Sequence, residues 1–362
     1  MTFQPFHDAA RDPDAAARAF KGAGGKVVGY MGATVPTELI AAAGAFPLRL
    51  VELRDATPLA DRYMEPQFDP LVRGVFEKLL EGGYAFLDAI VLPRTSDSVQ
   101  RFYYYLCEVR RTGEADLPEP ILYDLLHTPW YSSAEYNFAR TGELKAALER
   151  ITGASSDLKA RIADANRRRG RIAALAELRR AAPAKVAGLD ARAAMLAQGL
   201  MAAASFDAAL DAAIAQAGAA LRGPRVVIAG SGLASDGLHR RIEAAGAVVV
   251  GDFHEFGEPA FDGRVDEAAE PVRAIAQHYH RQVLSSRTFP VDPNRLADFA
   301  EAARADGVVF WFDAVEEALT WEQPAQQRAL QARGVPCLRL QGEAPPDSVE
   351  RFVARLPARA LA

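Results

Sequence analysis

Two adjacent side chains, His254 and Glu255 in GAVVVGDFHEFG at 246–257, carry the most versatile chemistry in the chain. Imidazole and carboxylate together suit a hard-metal site or an acid–base pair. As neighbours on a strand end they point to opposite faces, and the sequence places no third ligand beside them. A second candidate is LPRTSDSVQR at 92–101, where Ser96, Asp97 and Arg101 follow a strand-like run. Thr95, Ser96 or Asp97 also suits the N-cap of the helix that follows. A third is the turn GSGLASDG at 230–237, between a strand and a helix, with Asp252 ending the next strand. In dinucleotide sites an acidic residue ~20 positions past the glycines meets a ribose. Here Ser235 stands at the third glycine position, which leaves a tight βα turn, or an anion at the helix N-terminus, as alternatives.

The element that must position much of this lies at 26–50, KVVGYMGATVPTELIAAAGAFPLRL. Val27 and Val28 supply a β-branched run at 26–30, ended by Gly29 and Tyr30. Thr34 or Thr37 can cap a helix at 37–43, Pro36 suits its first turn, and Glu38 favours the positive end of its dipole. Gly44 fits a left-handed C-terminal cap, and Pro47 forbids continuation. The loop at 31–35, with Gly32 and Thr34, therefore faces a helix N-terminus at the carboxyl end of a strand, where open α/β sheets bind their ligands.

Strands at 84–92 and 121–126, with helices at 71–80, 99–111 and 134–151, continue the alternation that argues a parallel sheet. Residues 155–222 are rich in Ala, Arg, Leu and Glu and offer no strand; RRRGR at 167–171 reads as a solvated helix face. From Arg225 the βα rhythm returns, with helices at 268–284, 294–304 and 314–333 and a last one at 348–360. The expected organisation is an N-terminal α/β lobe at 1–154 with a leading helix at 1–20, a helical connector at 155–222, and a C-terminal α/β lobe at 223–362.

The 362 residues carry a net charge of −5, which disfavours nucleic acid or an anionic membrane as partner. No apolar run approaches the ~20 residues that span a bilayer, and the first residues do not resemble a secretory signal, so the cytoplasm is expected. There are two cysteines, Cys107 and Cys337, read as small buried hydrophobes; they cannot supply three thiolates to an iron–sulfur cluster. The aromatic stretches FYYYL at 102–106 and YSSAEYNF at 131–138 suit ligand stacking, core or subunit contact. His127, His239, His278 and His280 read as surface or structural.

The 26–50 stretch resembles the opening motif of the 2-hydroxyacyl-CoA dehydratase and benzoyl-CoA reductase subunit family, in its D-component-like branch. Gly29, Tyr30, Pro36, Glu38, Ala42, Ala43, Gly44, Pro47, Arg49 and Leu50 match. Asp97 and Arg101 match a second motif, and Asp252 and Gly257 a third. At the three positions where that family has cluster-binding cysteines, this chain has Gly32, Ser96 and Glu255. The block at 313–330, with Glu316, Glu317, Trp321 and Glu322, resembles the family's C-terminal block; its Asp313 loop is expected to face the same cleft, and Trp321 to pack its helix.

The resemblance implies two flavodoxin- or Rossmann-like α/β/α lobes with parallel sheets, facing each other across a cleft. It implies a cluster-less subunit of a heteromeric dehydratase-like (lyase) or reductase-like complex acting on an acyl-CoA thioester. The 4Fe-4S cluster would belong to a homologous partner subunit, no cofactor or metal being expected on this chain, and an ATP-dependent activator would supply electrons. Tyr30, Gly32, Thr34, Ser96, Asp97, Arg101, His254 and Glu255 would line the pocket. The alternatives are a stand-alone acyl-CoA or small-anion binding protein or enzyme reusing the cleft without iron, and a scaffold whose cleft has collapsed.

Overall fold

In a computed structural model, which describes residues 2–282, 291–343 and 345–357, eight strands form two four-stranded sheets, both wholly parallel. Helices α1 (Gln4–Arg11) and α2 (Ala15–Gly22) lead in. The single leading helix expected from the sequence is broken between them, because Pro13 pushes Asp12 out of helical geometry (φ −128°, ψ 78°).

The first sheet is built from β1 (Lys26–Tyr30), α3 (Thr37–Ala42), β2 (Ala45–Arg49), α4 (Pro70–Leu80), β3 (Ala89–Pro93), α5 (Asp97–Thr112) and β4 (Glu119–Tyr123). Its strand order is β2-β1-β3-β4. Parallel neighbours need a crossover that returns the chain to the same end, and the intervening helices supply it. Every residue of β3 is buried, as a strand covered on both faces requires. Gly44 ends α3 at φ +73°, the left-handed region that its lack of a Cβ permits. The N-cap of α3 is Pro36 and neither threonine caps it; the Thr34 hydroxyl is buried without a partner. The strand expected from residue 84 begins at Ala89, because Leu87 N–H bonds back to the Tyr84 carbonyl (3.0 Å) in a turn.

Helices α6 (Tyr131–Thr152), α7 (Leu158–Arg180), α8 (Gly188–Ala197) and α9 (Ala203–Gln216) then intervene. The second sheet follows: β5 (Arg225–Gly230), α10 (Gly237–Ala244), β6 (Val248–Phe253), α11 (Pro271–Arg281), α12 (Asn294–Ala302), β7 (Gly307–Phe312), α13 (Ala318–Ala332), β8 (Cys337–Gln341) and α14 (Ser348–Val353). Its order, β6-β5-β7-β8, repeats that of the first. The ends of two expected helices, at 283–284 and 358–360, lie outside the described residues. Among the described residues no helix is long and apolar enough to cross a membrane.

Helix α7 ties the two sheets together, which corrects the solvated reading of 167–171. Arg169 is buried and donates to Glu38 Oε1 (2.6 Å) on α3, while Tyr279 Oη on α11 donates to Glu38 Oε2 (2.9 Å). Glu38 is thus the anion of a buried cluster, beyond any role at its helix terminus. Arg168 and Arg171 pair with Asp207 and Asp211 on α9. Two turns on, Arg179 is fully buried and meets Asp252 on β6 (2.9 Å) and Glu258 (3.2 Å). Asn166 closes a two-way bond with the backbone of Val265 (2.8 and 3.0 Å).

Candidate functional site

An order of 2-1-3-4 reverses direction between its two central strands, and the crevice at the carboxyl ends there is where such sheets bind ligands. Both sheets have this reversal, between β1 and β3 and between β5 and β7. The loops that leave those strands border one cavity of about 390 Å³. The cleft is therefore open in this structure.

Gly32, Ser96 and Glu255, from three separate strand ends, all line this cavity. A Cβ built on Gly32 would lie 3.9 Å from Glu255 Oε2 and 3.9 Å from Thr95 Oγ1. Gly32 has φ +72°, which any side chain would strain. Gly232 stands closer still: a Cβ there would be 2.7 Å from Glu255 Oε1, so this glycine makes room for the carboxylate. Ser96 is also the N-cap of α5, its Oγ accepting from Val99 N–H (3.2 Å). Ser96→Ala should cost about 1 kcal/mol in urea denaturation, the usual loss for such a cap.

Four of the other residues expected in the pocket, Tyr30, Thr34, Asp97 and Arg101, are turned elsewhere. Successive strand residues alternate faces, so Met31 enters the main cavity and Tyr30 a smaller one behind it, beside Arg49. Thr34 is buried and lines neither. Val99 faces the cavity from α5; Arg101, two residues on, is rotated by ~200°, and it lies exposed with its guanidinium 5.9 Å from the Phe68 ring. Asp97, in the first turn of α5, is not on the wall either.

His254 is on the wall, with one ring nitrogen hydrogen-bonded and the other buried without a hydrogen-bond partner. Nδ1 accepts from Phe256 N–H (3.2 Å), and Nε2 lies 3.6 Å from Asp252 Oδ1. Asp252 is fully buried, bonded to His239 Nε2 (2.8 Å) and Arg179, so it is closed to a ribose. Burial alone would raise its pKa, yet Arg179 and then His239 hold it well below the usual carboxylate range. His239 is structural, a buried ring bonded to a buried anion.

Of the acidic residues on the wall, Glu255, Asp313, Glu316 and Glu322 belong to stretches the sequence singles out, whereas Asp69 and Asp292 do not. Asp69 caps α4, accepting from Leu71 N–H (2.7 Å), and Asp313 and Glu316 follow β7; with Glu255, Asp292 and Glu322 they set six carboxylates around one space, with Arg295 also on the wall. The Asp-Pro pair at 69–70, a helix-start signal, was the clue available for Asp69. Burial first, then the neighbouring Asp69, Glu316 and Glu255, push Asp313 up to about 7. Burial also raises Glu255, against the pull of Arg49, and raises Glu316 and Asp69. The Asp313 loop faces the cleft as expected, and Glu322 reaches the wall. Glu317 and Trp321 do not; Trp321 is 82% exposed and so does not pack its helix.

In chemical terms the cavity presents hard oxygen donors and no thiolate. Neither cysteine lies on its wall: Cys107 is half-buried on α5 and Cys337 half-buried on β8. Such a donor set does not fit an iron–sulfur cluster, whose iron is held by soft sulfur ligands. Among the described residues no three His, Cys, Asp or Glu side chains are grouped to hold a metal ion.

Against known proteins, the chain matches the family model described as 2-hydroxyglutaryl-CoA dehydratase, D-component, over residues 33–358. No curated protein matches it.

Proposed function

Because the chain belongs to the 2-hydroxyglutaryl-CoA dehydratase D-component family, and so is a component of a 2-hydroxyacyl-CoA dehydratase-like system, we propose that it is the cluster-less subunit of such a complex. It works beside a homologous, cluster-bearing partner on an acyl-CoA thioester, and an ATP-dependent activator serves the partner's cluster. One observation carries this reading: Gly32, Ser96 and Glu255, which the sequence resemblance sets at the family's cluster-cysteine positions, border a single open cavity, and none of them carries sulfur. The acidic wall disfavours an acyl group that ends in a carboxylate of its own, since like charges at short range repel. Trp130, Tyr131 and Trp321, all well exposed, suit the contact with the partner.

The test is anaerobic purification of the chain alone and together with its genomically neighbouring homologue, with iron, sulfide and absorbance measured on each. Iron and sulfide are expected only in the complex. Stoichiometric iron in the isolated chain would overturn the cluster-less assignment, and a lone chain that never co-purifies with the homologue would overturn the pairing.

The six cavity carboxylates favour one alternative, a stand-alone binding protein or enzyme that reuses the cleft without iron. Calorimetry separates the two: saturable acyl-CoA binding by the isolated chain, weakened by Glu255→Gln, would favour the stand-alone reading.

A further inference from the structure

Five arginines are buried among the described residues: Arg49, Arg169, Arg179, Arg192 and Arg225. Burying a guanidinium is costly unless carboxylates or several carbonyls surround it. Arg169 has Glu38, and Arg179 has Asp252 and Glu258. Arg225 donates to the carbonyls of Arg180, Ala181, Ala303 and Arg304, and Arg192 to those of Leu233 and Ala234. Arg49, 5% exposed, has one such bond, from Nη2 to the Glu255 carbonyl (3.1 Å). Its guanidinium lies 3.8 Å from the centre of the Phe256 ring, and its Nε is buried without a partner. Among the described residues no carboxylate stands in ion-pair contact with it.

Arg49 and Tyr30 share the wall of the smaller cavity, about 50 Å³, which lies behind Gly32. Gly199 lets both side chains pack tightly against its backbone: a Cβ there would lie 2.6 Å from Arg49 Cβ and 2.7 Å from Tyr30 Oη. Arg168 and Arg169 also border it, but their charges are met by Asp207 and Glu38. Glu255, which attracts Arg49 electrostatically, faces the main cavity instead, where burial and then Asp69 favour its neutral form against the pull of Arg49. Tyr30 is pushed up to about 12, chiefly by burial, so its hydroxyl keeps its proton and can donate.

We propose that Arg49 and Tyr30 form a binding site for a small monovalent anion, of halide, nitrate or formate size, in the cavity behind Gly32. An anion there supplies the counter-charge that Arg49 lacks and accepts charge-assisted hydrogen bonds from the guanidinium and the tyrosine hydroxyl. The volume admits an ion of this size. The site is independent of acyl-CoA, of iron and of any partner chain.

The test uses the full chain, freed of halide, titrated with sodium bromide, nitrate or formate while a bulky organic anion holds ionic strength constant. Melting temperature should rise saturably, and crystals soaked in bromide should show an anomalous peak beside Arg49. Tyr30→Phe should weaken the apparent affinity by about fivefold, the worth of one hydrogen bond. Arg49→Gln should abolish the effect; if that variant does not fold, Tyr30→Phe and the bromide peak decide. A melting temperature insensitive to the anion, bromide bound only elsewhere, or unchanged affinity in Tyr30→Phe would each overturn the proposal.

Discussion

Arg179→Met should destabilise the protein by about 3–5 kcal/mol, the cost of removing one partner from a buried ion pair. The methionine fills much of the same space, so the loss comes from Asp252 and Glu258, left buried without their cation. Urea denaturation followed by circular dichroism measures it, and an unchanged midpoint would refute the assignment of Arg179 as the counter-ion. The pH dependence carries a second signature. Asp252 is held below its unfolded value, so the unfolded chain binds the proton first. The stabilisation is complete above the ordinary carboxylate range, about pH 4, and is lost as pH falls through the lower folded value. His239 is depressed by burial, against the pull of Asp252, so stability also declines as pH drops through about 6.5. Without Arg179 the limb due to Asp252 should shrink.

At Asp313 the sign is opposite. Its folded pKa of about 7 lies above the unfolded value, so the native state holds a proton that the unfolded chain has released. Stability from this residue is highest near pH 4, falls as pH rises towards 7, and is flat beyond. Asp313→Asn mimics the protonated form at every pH. It should therefore gain about 2 kcal/mol at pH 8, discounted for solvent screening in the open cleft, and nothing at pH 4. Thermal denaturation at the two pH values measures the difference; an equal effect at both would mean that the carboxylate is not crowded by its neighbours. A residue whose replacement stabilises the fold is one kept for something other than stability.

How much of this could be read from the chain alone follows from how far each signal reaches. β1, α3 and the Gly44 cap were legible because Val27, Val28, Gly44 and Pro47 act on residues a few positions away. Strand ends carrying positions 32, 96 and 255 were legible for the same reason, and parallel topology brings such ends together. The leading helix was misjudged over a local feature, Pro13, whose effect on Asp12 is a rule of backbone sterics. The buried ions were not legible. Arg169 and Glu38 are 131 positions apart, and Arg179 and Glu258 are 79 apart. A charged residue in a helical run reads as solvated until the partner is known. Tyr30 and Arg101 failed on direction: the right loop and helix were chosen, but alternation and helical rotation aim these two side chains away from the space.

The helix that carries Arg169 and Arg179 fixes more than two ion pairs. One end is bolted to the first sheet's layer and the other to the second's, each bolt buried where water cannot loosen it. A two-leaved enzyme commonly admits its ligand by swinging apart on a hinge. Here a brace spans the joint, and any swing of the leaves would first have to break one of these buried pairs.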